Sequence, residues 1–144
     1  MHSNINVFGV AAKGFVIKDY KLLILYKTKE EATNDPNPNI RIDTPGGRVE
    51  FGEAPDISLM REIKEECSIR AKILFPFNVW HYINENFQLV GIDYLCEWID
   101  GDVVLGKEHE NFEWISLDEI LNREWDNKDI YIRVFDIYEK YISK

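Results

Sequence analysis

At 144 residues, with 45 % hydrophobic and 13 % aromatic content, the chain is long enough to close a real core and too apolar to be disordered. Its 26 acidic against 17 basic side chains give a formal net charge of -9, which disfavours a nucleic-acid backbone or an anionic membrane as partner. Two cysteines make no disulfide scaffold, and no apolar run reaches the roughly 18 residues of a membrane helix. The stretch MHSNINVFGVAAKGF has neither the basic leader nor the long apolar core of a signal peptide, so a cytoplasmic protein is expected.

Residues 6–17 have a strand pattern and residues 21–27 (KLLILYK) read as a buried strand, with Lys18, Asp19 and Tyr20 short enough for a hairpin turn. Residues 28–39 (TKEEATNDPNPN) form a polar, Pro/Asn-rich loop of the kind that often faces substrate. Residues 40–43 make a brief strand, which the turn chemistry of Thr44, Pro45, Gly46 and Gly47 stops. A helix is predicted over residues 55–67. Pro55 suits its first turn, and Ile57, Met60, Ile63 and Cys67 recur as one apolar stripe. Strands are expected over residues 69–77, 79–83, 87–99 and 112–115. Ser116 with Glu119 spells a capping box, and a last amphipathic helix covers about residues 129–142, with Ile130, Val134, Ile137 and Tyr141 on one side. The pattern is α+β: a mixed sheet with helices packed on it, in one domain over residues 1–144.

The segment GGRVEFGEAPDISLMREIKEEC, Gly46 to Cys67, concentrates acid. On a helix, Glu62, Glu65 and Glu66 share one face at i, i+3 and i+4, where like charges repel. Glu53 stands just before the helix, beside the Gly-Gly turn. A solvated acidic face is the bland account, but such faces interleave lysines, and Arg61 and Lys64 do not neutralise this cluster. The other account is a hard-cation site. Mg²⁺ and Mn²⁺ take oxygen ligands, and a bound divalent ion would let so acidic a protein accept a polyphosphate.

The spacing is specific. Gly47, five residues, Glu53, seven residues, Arg61-Glu62-Ile63, one residue, Glu65-Glu66, one residue, Ser68-Ile69 closely resembles the Nudix box. The match covers six charged or glycine positions and both aliphatic ones. At about 7 % per residue type, chance agreement at the six is on the order of one in ten million per start position. Ser68 stands where the family usually has glycine, a residue suited to the left-handed turn that ends a helix. More weakly, the strands before the box, the hairpin after it and GKEHENFEWISLDEI (Gly106 to Ile120) look like the rest of such a domain.

The resemblance implies an α/β/α sandwich and metal-dependent hydrolysis of a nucleoside diphosphate linked to another moiety, by water attack on phosphorus. It implies that Glu62, Glu65 and Glu66 hold Mg²⁺, or Mn²⁺, with the Gly46 carbonyl. An additional glutamate, Glu108 or Glu110, lies ahead of the strand containing Trp114. Glu62 or Glu66 is the within-box candidate for general base, with Glu108 as another, while Arg61 orients Glu53 by bidentate pairing. The partner is then a small nucleotide-type substrate rather than nucleic acid or membrane, and a homodimer follows only by analogy. A non-catalytic Nudix module that senses a nucleotide is the alternative; such modules commonly lose box glutamates, and this chain keeps them.

Outside the box, Trp80 and Tyr82, flanking His81, are candidates to stack on a base, against core or edge packing. Arg41, leading into the Gly-Gly turn, is a candidate phosphate contact. His109 reads as a surface histidine, and Cys67 and Cys96 as small core residues.

Overall fold

Asp19 and Tyr20 both adopt left-handed backbone (φ 50° and 59°) and close a two-residue turn, in which Lys18 pairs with Lys21. Two positive-φ residues match the right-handed twist of a hairpin. The turn joins strands β1 (Val7–Lys18) and β2 (Lys21–Lys27) in a computed structural model that describes residues 6–34 and 41–144. The rest of the chain adds α1 (Lys29–Ala32), β3 (Ile42–Asp43), β4 (Gly46–Arg48), α2 (Pro55–Cys67), β5 (Arg70–Ile83), β6 (Phe87–Asp100), β7 (His109–Ile115), α3 (Leu117–Leu121) and α4 (Lys128–Ile142).

One mixed sheet runs β3-β2-β1-β6-β5, with β4 on β1 and β7 on β2. Strand β1 runs parallel to β6, and the other pairings are antiparallel. Both faces are covered, which is why KLLILYK reads as a continuous apolar run. Leu23 and Leu25 pack with Leu59, Ile63 and Cys67 of α2. Leu22 and Ile24 pack with Ile120 of α3 and Val134 and Phe135 of α4. The result is the expected α/β/α sandwich. Among the described residues, no helix is long and apolar enough to cross a membrane.

Several local expectations are corrected. Residues 28–34 of the expected loop contain a helical turn, α1, whose Thr28 side chain accepts from the Glu31 amide; residues 35–40, including the expected start of β3, lie outside the described residues. Gly46 and Gly47 form strand β4 on β1 instead of a turn. The two strands expected across residues 69–83 are one, and register shifts between Ile73 and Phe75 and between Pro76 and Asn78 absorb the irregularity. On α2, Ile57 and Met60 are about half exposed, whereas Leu59, Ile63 and Cys67 face the core. Residues 59, 63 and 67 step by four and stay on one face, which leaves Ile57 and Met60 rotated outward.

Candidate active site

Helix α2 begins at Pro55 and ends at Ser68, which takes the left-handed conformation (φ 63°) and donates its amide to the Lys64 carbonyl. The Ser68 hydroxyl donates to the Val104 carbonyl at 3.1 Å. Serine therefore performs the helix-ending turn that glycine would and adds a tether to residues 101–108. That segment is zipped along the helix end by the Val104 and Gly106 amides, which donate to Cys67 and Glu66 carbonyls. The zipper brings Glu108 to the acidic helix.

Arg61 organises the near side. It grips Glu53 with two bonds of 2.9 Å and reaches Glu62 at 3.2 Å and Glu65 at 3.3 Å. This fork holds the Glu53 carboxyl down at about 2. Glu50 and Glu53 also close the preceding turn, each receiving the other's amide.

Gly46 sits opposite Lys13 in the β1–β4 pairing with φ of 133°. A Cβ there would lie 2.1 Å from the Ala12 carbonyl oxygen, so only glycine lets β4 approach this closely. A Cβ on Gly47 would just touch the Glu62 carboxylate, at 3.4 Å. The Gly46 amide donates to Glu66 at 3.3 Å. Glu66 is 6 % exposed, an unusual depth for a glutamate on an acidic helix. Burial, opposed by Lys13 but reinforced by the hydrogen bond with Glu62 and the charge of Asp43, pushes its carboxyl up to about 9.

These groups line a cleft of about 560 Å³, whose walls include Gly46, Gly47, Glu62, Glu66, Glu108 and Trp80. Glu108 is pushed above the usual carboxylate range by burial and by Glu31. Glu65 lines an adjoining hollow that shares Glu62, Glu66 and Glu108 with the cleft. Trp80 lies flat over Gly91, with its indole N–H on Asp93 at 3.0 Å. Tyr82 packs its ring on Phe87 at 6.2 Å and does not line the cleft. Arg41 turns away, giving its guanidinium to the Lys27 carbonyl and pairing with Glu110, so neither residue lines the cleft.

Of four further residues, Lys13 and Asp43 line the cleft, and His109 and Asp93 reach it through their bonds to Asp43 and Trp80. Lys13 contacts Asp43 at 3.0 Å and the Gly46 carbonyl at 3.4 Å. Asp43 also bonds His109 Nε2 at 2.9 Å, and these partners hold its carboxyl well below the usual range despite burial. His109 is buried, not superficial, and its Nδ1 has no hydrogen-bond partner among the described residues. Asp93 is buried as well and accepts from Asn78 and Trp80. These residues come from β1, β3, β6 and β7, and only the sheet assembles them.

The donors suit a hard divalent cation: carboxylates of Glu62, Glu66 and Glu108 line one cleft, one of them buried, and Gly47 leaves space beside another. Among the described residues, no three His, Cys, Asp or Glu side chains are drawn together closely enough to hold a metal ion as they stand. That agrees with Arg61 holding Glu62 and Glu65 on its own side, and with the partial, water-completed coordination Mg²⁺ accepts.

A layered mixed sheet thus carries a Gly-Gly strand and an acidic helix at one cleft. The chain matches the NUDIX domain model over residues 8–135 and belongs to the Nudix family, as a MutT-like hydrolase of phosphorus-containing anhydrides. It is 26 % identical over 123 residues to an ADP-ribose pyrophosphatase of Methanocaldococcus jannaschii, covering 84 % of this chain and 69 % of that protein. It is 31 % identical over 77 residues to an 8-oxo-dGTP diphosphatase of Escherichia coli, covering 54 % of this chain and 59 % of that one. A MutT protein of Methanosarcina mazei superposes with a TM-score of 0.73 at 20 % identity, covering 96 % and 98 % of the two chains. A Nudix hydrolase of Clostridium perfringens gives 0.72 at 15 %, covering 90 % and 97 %.

Proposed function

We propose that the protein hydrolyses the pyrophosphate bond of a nucleoside diphosphate linked to another group, with Mg²⁺ as cofactor and Mn²⁺ as a substitute. The observation that carries this reading is the convergence of Glu62, Glu66, Glu108 and the Gly46–Gly47 backbone on one cleft. Glu62, Glu66 and the Gly46 carbonyl would hold the cation, with Glu65 and Glu108 completing its oxygen shell, Glu65 by turning from Arg61. When bound, the ion supplies charge stabilisation to the phosphoryl oxygens and lowers the pKa of water.

The chain's own residues supply the rest. Arg61 fixes Glu53 in a two-point fork and keeps Glu62 from swinging freely. Glu62, which is partly exposed at the cleft, takes the proton of the attacking water in this reading. Glu66, buried and bonded to the Gly46 amide, serves in this reading as a ligand alone, while Glu62 keeps one oxygen for the cation and one for the water. Trp80, flat on Gly91, presents an aromatic surface in the cleft for the organic part of the substrate.

The test is a panel of nucleoside triphosphates, nucleoside diphosphate sugars, ADP-ribose and dinucleoside polyphosphates, assayed with Mg²⁺, with Mn²⁺ and with chelator. Release of a nucleoside monophosphate or phosphate that chelator abolishes supports the reading. Hydrolysis that persists in chelator overturns its metal dependence.

A further inference from the structure

A second hollow of about 580 Å³ adjoins the acidic cleft. Its walls are of a different kind: Phe15, Tyr131 and Ile130 provide apolar surface, and Asn78, Asp93 and Arg133 provide polar groups. Three residues, Lys13, Asp43 and Trp80, line both spaces, and Lys13 is the cation among them. A compound with phosphates beside the acidic helix and an organic group in the second hollow must cross this junction.

Lys13 is unusual for its position. It lies on β1 in alternation with Phe15 and Ile17, which pack into the core under α4, yet it carries a charge. Its side chain is only 18 % exposed. Asp43 fixes it from one side and is itself fixed by His109, while the Gly46 carbonyl takes a second donor. An ammonium has three donors, and among the described residues these two are its acceptors, so one remains for the cleft. The chain thus builds a rigid cationic post at the point where two recognition spaces meet.

We propose that Lys13 is a substrate-binding residue that takes a non-bridging oxygen of the diphosphate at the junction, and so sets which phosphorus lies against Glu62 and Glu66. This rests on the reading of the cleft as a pyrophosphohydrolase site. The competing account makes Lys13 a counter-ion that lets Asp43 be buried. The two accounts separate because a counter-ion becomes dispensable when its partner is neutralised, whereas a phosphate contact does not.

The experiment compares wild type, Lys13→Met, Asp43→Asn and the double variant. The probe is adenosine 5′-(α,β-methylene)diphosphate with Mg²⁺, measured by titration calorimetry, alongside kcat/KM on whichever panel member wild type hydrolyses and thermal unfolding of each protein. Lys13→Met is expected to weaken probe binding about tenfold or more. The double variant, which buries no unpaired charge, is expected to unfold near wild type and still bind as weakly as Lys13→Met. Restoration of binding in the double variant, or binding by Lys13→Met within threefold of wild type, overturns the proposal. If wild type hydrolyses no panel member, the pyrophosphohydrolase reading falls and takes this assignment with it; if wild type is active and Lys13→Met equally so, only the assignment of Lys13 falls.

Discussion

Replacing Glu66 with glutamine should stabilise the metal-free protein while disabling it. Glu66 is 6 % exposed, and its carboxyl is pushed from the ordinary 4.5 to about 9. A carboxyl raised on folding contributes its full stability below the unfolded value and loses it as pH rises toward the folded one. At pH 7 the unfolded chain ionises this group and the folded chain keeps it protonated. At 1.36 kcal/mol per pH unit above the ordinary value, that opposes folding by about 3 kcal/mol. Glutamine is isosteric, never ionises, and keeps an oxygen for the Gly46 amide, now 3.3 Å from Glu66 Oε2. Thermal unfolding in chelator at pH 7 should therefore shift upward by roughly 10 °C, and the gain should shrink to roughly 3 °C at pH 5. Adding Mg²⁺ should then stabilise wild type but not the variant, whose hydrolysis should fall by about a hundredfold or more. A metal-free Glu66→Gln protein less stable than wild type at pH 7 would refute the reasoning. It would mean that Glu66 is ionised and held by Lys13.

Arg61→Leu should cut Mg²⁺-dependent kcat by about a hundredfold, and Arg61→Lys should not rescue it, because a lysine cannot reproduce the two-point grip on Glu53; steady-state kinetics on both variants decide. Gly46→Ala should destabilise by about 4 kcal/mol or more in denaturant titration, since its methyl would meet the Ala12 carbonyl. Ser68→Val should lose about 1–2 kcal/mol by the same assay, through a branched side chain at φ 63° and the lost bond to Val104. Tyr82→Ala should leave kcat/KM within about twofold of wild type, because its ring packs on Phe87 away from the cleft.

Much of the frame could be read along the chain because its causes are local. KLLILYK is apolar on both faces and became a strand covered on both faces. Pro55 and the end at Cys67 bound α2, and Ser116 with Glu119 forms the capping box of α3. The misreadings share a cause. Ile57, Met60, Ile63 and Cys67 satisfy helical spacing as well as Leu59, Ile63 and Cys67 do, and only the position of the sheet decides between them. Asp43 and His109 are 66 residues apart and meet only because β3 and β7 flank β2. No local pattern could have marked His109 as buried, or Lys13 as the post between two spaces. Arg41 is near Gly46 in sequence, but Glu110 and the Lys27 carbonyl hold it elsewhere.

The central claim is that water attacks phosphorus at a cation-dependent site built by Glu62 and Glu66. It is tested most directly by running the hydrolysis in ¹⁸O-water with Mg²⁺ and reading the products by mass spectrometry. The account predicts one ¹⁸O in a phosphate group of one product, and no turnover in chelator or with Glu66→Gln. Label carried on a carbon of the departing group would contradict it, as would tight binding of every panel member without hydrolysis of any.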